Sequence, residues 1–225
     1  MTYLNLVNNV LKRLREAEVT TVEGFSGGSS VSGATDYGKL IGMFVNDAIR
    51  IVEDSWDWGA LRVTTSKDTV ADSSELTLTG LRQNSSKLDG INDTSNVRLK
   101  NVSKQWFNDK TLLSDVITGS PEYFMYDGVH TDGSVKIKVY PTPDAVYALK
   151  FDFVDRSDTL SNDTSTIAVP SLPVIQYAVA LASRERGETG GMSSAELYAQ
   201  ADATLADAIA LDAARHPTET IWYTA

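Results

Sequence analysis

The chain has 225 residues and a net charge of −10 at pH 7, with 42% hydrophobic and 22% charged residues. This composition is typical of a globular protein and excludes collagen, low-complexity polymers and a largely disordered chain. The chain contains no cysteine, which excludes disulfides, thiol catalysis and cysteine-held zinc or iron–sulfur sites.

The negative charge is concentrated toward the C-terminal end. Counting Lys and Arg against Asp and Glu gives −3 for residues 1–58, −1 for residues 59–156 and −6 for residues 157–225. Sequence-independent binding of nucleic acid requires clustered basic side chains that replace phosphate counterions. The chain offers only isolated basic pairs, so it is not expected to grip DNA, and its acidic surface should repel anionic membranes as well. The longest apolar stretch, residues 174–182, is too short to span a bilayer.

Two helices are predicted before residue 58. Apolar residues recur at three- and four-residue steps over residues 2–16, where Thr2 can act as the N-cap. The same spacing recurs over residues 36–54, with Asp36 as a plausible N-cap. Residues 24–35 between them are rich in Gly and Ser and indicate a linker, with no lysine placed as in a phosphate-binding loop.

The hydrophobic period changes to strand-like alternation after residue 60. A turn at residues 131–133 predicts a hairpin, and residues 103–115 are ambiguous, with room for a short helix. The predicted strands cover residues 61–65, 75–79, 97–100, 123–126, 135–140 and 146–154.

Helical spacing returns near Pro173, and Ser193 with Glu196 forms a capping box that opens a final helix to about Arg215. Pro217 then ends the helix. The order predicts an α+β fold in one composite domain, residues 1–225. Its expected parts are a helical bundle from residues 1–58 and 171–215, an inserted antiparallel β region at residues 59–156, and a C-terminal tail at residues 216–225.

No catalytic motif is found in the sequence. His130 and His216 have no sequence neighbours that would make them metal ligands or bases, and no Gly-x-Ser-x-Gly elbow is present. Carboxylates cluster in two places, at Glu53, Asp54 and Asp57 and at Asp152, Asp155 and Asp158. Such clusters can hold a hard cation or transfer protons, but neither has EF-hand spacing, and a solvated helix end and sheet edge are the favoured interpretation. We therefore predict no catalytic residue, no metal site and no cofactor.

An apolar cluster in the tail stands apart from this pattern. Ile221, Trp222 and Tyr223 follow the predicted helix stop, where exposure to water would be costly. They should pack either on their own subunit or on a neighbouring molecule, and the residues alone do not decide between the two.

Several strings, in order, resemble the head-to-tail adaptors, or neck connectors, of tailed bacteriophages. The chain is most similar to the tail-tubular adaptors of short-tailed phages. The matching strings are Tyr3-Leu-Asn-Leu-Val-Asn8, Phe44-Val-Asn-Asp-Ala-Ile-Arg50 followed by Trp56-Asp-Trp58, Gly119-Ser-Pro-Glu-Tyr-Phe124, Val139-Tyr-Pro-Thr-Pro-Asp144 and Tyr177-Ala-Val-Ala-Leu-Ala182.

The resemblance implies a non-enzymatic protein of the virion neck, made in the cytoplasm of the bacterial host. Such adaptors form a dodecameric ring beneath the portal protein, extend the channel for double-stranded DNA and offer a docking surface to a tail or nozzle protein. On this basis Asp202 and Asp207 are candidate channel-facing acids, since an acidic lining repels phosphate and lets the duplex slide. Ile221, Trp222 and Tyr223 are candidate contacts to the portal or to another subunit.

Three alternatives stay open. Another phage structural protein, such as a tail-completion, tail-tube or minor capsid protein, would share the composition. A hydrolase would use the group Asp152, Asp155 and Asp158. A glycan-binding module would expose Trp106 or Trp222 as a sugar platform.

Overall fold

The computed structural model describes residues 1–23, 36–82, 85–113, 115–187 and 193–215. These ranges hold five α-helices and seven strands, so the fold class is α+β as predicted. The helices are α1 (Tyr3–Arg13), α2 (Asp36–Ser55), α3 (Lys104–Thr111), α4 (Ser171–Arg186) and α5 (Ser194–Ala213). The strands are β1 (Arg62–Asp68), β2 (Glu75–Arg82), β3 (Ser86–Asn92), β4 (Val97–Asn101), β5 (Tyr123–Val129), β6 (Ser134–Tyr140) and β7 (Ala148–Val154).

The chain divides into two compact units. The helical unit combines residues 1–60 with residues from 157 onward, and the sheet unit comprises residues 61–156. The helical unit contains α1, α2, α4 and α5, whereas α3 and all the described strands belong to the sheet unit. The organisation into a single composite domain with a helical bundle stays a prediction.

Helix α4 is the central element of the helical unit. It contacts α1, α2 and α5, and ten of its sixteen residues are buried. A helix that packs on several sides has no polar face to present, which explains why residues 174–182 are almost uniformly apolar.

Tyr3 joins α1 to α2. Its hydroxyl donates to the Gly42 carbonyl at 2.9 Å and accepts from Asn46 Nδ2 at 3.1 Å. Burial raises the pKa of Tyr3 to about 12, and the bond from Asn46 only partly opposes this shift. Tyr3 is therefore neutral, and its hydroxyl both donates and accepts a hydrogen bond to residues of α2.

The helix ends follow the sequence signals with local corrections. The Thr2 side chain accepts from the Asn5 amide at 3.4 Å, and Ser193 forms the predicted capping box with Glu196. The expectation of a helix to residue 16 is wrong, because Arg15 adopts a left-handed φ of 58° and α1 ends at Arg13. Helix α5 likewise ends at Ala213, two residues before the predicted end.

The sheet has the strand order β1-β7-β3-β4-β5-β6-β2. The expectation of a purely antiparallel region is wrong, because β4 and β5 pair in parallel. Parallel neighbours need a crossover connection, and α3 lies in that connection. The remaining described pairs, including the predicted β5–β6 hairpin, are antiparallel.

Strand β3 was not predicted from the sequence, and the packing of the core of the sheet unit explains why. Its central Gly90 is packed so closely that a Cβ atom there would lie 2.9 Å from Phe151 Cε1 and 3.0 Å from Leu99 Cδ1. A glycine therefore occupies a core position at which alternation would require a large apolar residue. The buried residues around it are Leu76, Leu78, Leu99, Phe124, Val135, Ile137, Val139, Leu149, Phe151 and Phe153.

Candidate assembly surfaces

Helix α5 carries the two candidate channel acids. It buries only Ala201, Leu205 and Asp212, so most of its surface faces solvent in the isolated chain. Asp202 and Asp207 are both exposed. The Tyr177 hydroxyl of α4 donates to Asp202 Oδ1, and this bond holds the Asp202 carboxylate beside α4. Burial, and secondly this bond, raise the pKa of Tyr177, so the phenol stays protonated as the donor.

The C-terminal turn of α5 is fastened by Asp212, a residue that sequence reasoning did not single out. Its buried Oδ2 accepts from the Trp56 indole Nε1 at 3.1 Å and from the Gly59 amide at 3.0 Å. An acid in the last turn opposes the helix dipole. That unfavourable placement was the available sequence signal that this carboxylate has a specific partner.

A cavity of about 350 Å³, here named the α5 cavity, lies next to Asp212. Its walls are largely apolar and include Trp58, Val169, Pro170, Ala208 and Leu211, with Arg215 at its edge. Leu211 is 67% exposed. The candidate contact residues Ile221, Trp222 and Tyr223 lie outside the described residues.

The sheet unit presents an apolar surface that the sequence analysis missed. Leu112 and Leu113 are 74% and 80% exposed, and Val116 and Ile117 are exposed as well. We call these four residues the apolar quartet. They are held against the fold at one end, where the Thr142 amide donates to the Ile117 carbonyl at 3.0 Å. Four exposed aliphatic residues within six positions are typical of an interaction surface.

The carboxylate clusters do not assemble into a metal centre in the part of the chain that the structure describes. Asp152 accepts from Thr64 Oγ1 at 2.5 Å and Asp155 accepts from Ser85 Oγ at 2.9 Å, both within the sheet unit. Asp158 instead lines a cavity of about 360 Å³ in the helical unit, together with Glu53. Glu53 is buried and its Oε2 accepts from the Ser157 amide at 3.0 Å, a bond that fixes the chain after β7.

The remaining sequence candidates have local roles. His130 Nε2 lies 3.0 Å from Thr77 Oγ1 on an exposed part of the sheet unit, and His216 lies outside the described residues. Trp106 is half-buried, with its ring centroid 4.6 Å from that of Tyr123 and 5.7 Å from that of Tyr140. It is thus a member of an aromatic cluster rather than an open platform.

Comparison with known proteins gives one match that covers almost the whole chain. Residues 1–221 match the protein-family model described as SU10 adaptor protein. A search of curated proteins found no match. Among the described residues, no helix combines the length and the apolar character needed to cross a membrane.

Proposed function

Since this chain belongs to the SU10 adaptor protein family, a family of phage head-to-tail adaptors, we propose that it forms a ring beneath the portal at the virion neck. It is a structural protein of a bacteriophage, and membership in this family implies association with portal and tail components. The match over residues 1–221 is the observation that carries the proposal.

In the proposed assembly, twelve copies extend the DNA channel below the portal and offer the docking surface for a tail or nozzle protein. The two compact units act there as one composite domain, with the helices bundled in the ring wall. The ring serves genome packaging and ejection without catalysing a reaction. This interpretation is supported by membership in the family, whose adaptors are structural phage proteins.

The apolar quartet is proposed as an assembly contact. Exposed leucines contribute little to the stability of an isolated subunit but can bury apolar surface when another molecule covers them. Replacing Leu112 and Leu113 together with aspartate should lower the melting temperature only modestly, by about 2–4 °C, because acids at the C-terminal end of α3 cost roughly 0.3–1 kcal/mol, but it should abolish incorporation into particles. The matched control replaces both with methionine and should assemble. Normal incorporation of the aspartate variant would remove the quartet from the assembly surface.

At least one of the two candidate acids, Asp202 or Asp207, is proposed to face the channel; five residues apart on α5, they point in directions about 140° apart. Asp207 is the better probe, because Asp202 also accepts a bond from Tyr177. Asp207→Lys should slow DNA release from assembled particles, and added salt should relieve the delay because it screens attraction to phosphate. An unchanged release rate, or a ring structure in which both acids face outward or lie buried between subunits, would contradict this placement.

The tail residues Ile221, Trp222 and Tyr223 are proposed to contact the portal or a neighbouring subunit in the particle. Deleting residues 217–225 should then abolish attachment to the portal while the isolated subunit stays folded, as judged by circular dichroism. Attachment by the shortened chain would end this proposal, and loss of folding would favour packing of the tail on its own subunit.

The decisive test of the function is the copy number and position of the chain in purified virions, by quantitative mass spectrometry and immuno-electron microscopy. A dodecameric count at the neck is expected. Absence from the particle would refute a virion role. Many copies along a tube or shell would instead identify a tail-tube or minor capsid protein.

A further inference from the structure

The α5 cavity opens beside the last described residue of the chain, Arg215. The sequence that follows carries the apolar cluster Ile221-Trp222-Tyr223. We propose that, in the unassembled subunit, the α5 cavity holds Trp222 and its apolar neighbours from the same chain. This goes beyond the proposed function, in which these residues contact another molecule only after assembly.

The walls of the cavity fit an aromatic side chain. The Trp58 indole already donates to the Val52 carbonyl at 2.8 Å, so its polar atom is satisfied and its ring contributes apolar surface. Val169, Pro170, Ala208 and Leu211 add aliphatic surface. A volume of about 350 Å³ lies near the lower end of pockets that enclose small ligands, roughly 300–1,000 Å³. It suits one or two large side chains and is too small for a helix.

The short connection favours an occupant from the same chain. Five residues, 216–220, lie between Arg215 and Ile221, and an extended chain covers at most about 20 Å over the six steps from one to the other. The cavity lies at the start of this tether, since Arg215 is itself part of its edge. Pro217 disfavours a helical conformation at His216.

The connection to Arg215 also favours the Ile-Trp-Tyr segment of the same chain over the identical segment of a second copy. The Ile-Trp-Tyr segment of a second copy has the same side chains, but it must bind from solution. A segment joined to the cavity by a short stretch of the same chain has an effective concentration on the order of millimolar. At ordinary protein concentrations the subunit's own segment therefore occupies the cavity first.

This arrangement would give the subunit a protected resting form. The exposed side of Leu211 and the aromatic tail residues would cover each other. The free chain would then have two fewer exposed apolar surfaces that could bind other molecules. A partner that binds the tail would then uncover the cavity at the same time. Assembly on the portal and release of the cavity would be coupled steps.

The absence of cysteine permits a direct test in the full-length chain. Ala208→Cys places one thiol in the cavity wall, and Thr220→Cys places the second next to the intact Ile-Trp-Tyr segment. Oxidation of the isolated subunit should form an intrachain disulfide, identified by mass spectrometry of a mixture of ¹⁴N- and ¹⁵N-labelled chains. Leu211→Cys, at the exposed rim, replaces Ala208→Cys if that variant does not fold under reducing conditions.

The matched control pairs Ala210→Cys with Thr220→Cys. Ala210 is exposed and two residues nearer to the tail, but it is not part of the cavity wall. A disulfide needs the two Cα atoms within about 7 Å, so the cavity pair should cross-link on the order of tenfold faster than the control pair. Adding Trp222→Ser should remove this advantage.

Equal rates for the two pairs, or no cross-link, would overturn the proposal. A predominantly interchain disulfide would also overturn it, because the cavity would then hold the segment of a second copy. None of these results bears on the location of the protein in virions, so failure here is distinguishable from failure of the adaptor function.

Discussion

Replacing Asp212 with alanine should destabilise the helical unit by about 2–3 kcal/mol, because two donors lose one shared acceptor. Asp212 Oδ2 accepts from the Trp56 indole at 3.1 Å and from the Gly59 amide at 3.0 Å. Hydrogen bonds to a charged group contribute about 1.5–3 kcal/mol each. The loss of stability is smaller than the sum of the two bonds, because Trp56 is 38% exposed and its indole N–H can donate to water instead. Removing an acid from the last turn of α5 also returns about 0.3–1 kcal/mol.

The variant Asp212→Asn distinguishes the contribution of the hydrogen-bond acceptor at residue 212 from the contribution of its negative charge. Asp212→Asn can place its amide oxygen where Oδ2 lies and keep both bonds as neutral ones, so a loss of only about 1 kcal/mol is expected. Asp207→Ala is the control, since Asp207 is an exposed acid on the same helix and should change stability by less than about 0.5 kcal/mol.

The assays are urea denaturation and a thermal melt, each followed by circular dichroism. For a chain of this size, 1 kcal/mol corresponds to a shift of about 2–4 °C in melting temperature, so Asp212→Ala should lower it by roughly 4–12 °C. The slope of the urea transition should not change. Equal stability of Asp212→Ala and Asp207→Ala would show that the shared acceptor contributes nothing measurable. An equal loss of stability in Asp212→Asn and Asp212→Ala would show that the two bonds are not what Asp212 contributes.

Three further substitutions test the packing and the charges described above. Gly90→Ala should cost about 1–3 kcal/mol in urea denaturation, because the new Cβ would lie 2.9 Å from the Phe151 ring; an unchanged midpoint would show that the ring yields freely. A hydrogen bond from Lys138 lowers the pKa of Asp127, so the stability it contributes is present above the ordinary carboxyl pKa and is lost as the pH falls through the lowered value. Asp127→Asn should therefore reduce stability at pH 7 and have little effect at pH 2, and an equal difference at both pH values would contradict this. Burial raises the pKa of Tyr3 from 10.0 to about 12, so part of the stability is lost as the pH rises across that interval; Tyr3→Phe should show a flatter stability curve there, and an unaltered slope would exclude this tyrosine as its source.

The helices were largely predictable because their signals are local. Thr2 and the Ser193–Glu196 capping box fix their helix starts through bonds within three residues, and the amphipathic spacing of α1 reflects one buried side. The overestimated end of α1 has a local cause that spacing does not reveal, since Arg15 turns the chain with a positive φ. For α1, the sequence pattern therefore predicted the buried side of the helix correctly but not the residue at which the helix ends.

The sheet was predictable only where one face alternates. Strand β6 alternates buried and half-buried residues and was found almost in full. Strand β3 escaped because Gly90 fills a core position by being small, which is a property of its neighbour Phe151 rather than of its own segment. The parallel β4–β5 pair escaped for a related reason, as the direction of pairing depends on where α3 returns the chain.

The candidate surfaces were the least predictable part. The α5 cavity combines Trp58, Val169 and Leu211, which are far apart in sequence and meet only through the packing of the helices. The apolar quartet begins in the segment 103–115, which was ambiguous in the sequence, and continues past its end. Its importance is visible only once the exposure of Leu112 and Leu113 is known, because apolar residues in sequence are normally expected to be buried.

The central position of α4 has a consequence for synthesis of the protein on the ribosome. Helices α1 and α2 are complete at Ser55, whereas α4, which contacts both, begins at Ser171. At a synthesis rate of about 5–20 residues per second, roughly 6–23 s pass between the completion of α2 and the start of α4. The strands, which are synthesised in this interval, have time to pair. A nascent chain interrupted before residue 171 therefore has neither α4 nor the acidic helix that follows. Premature termination products that end before residue 171 therefore cannot present the α5 surface.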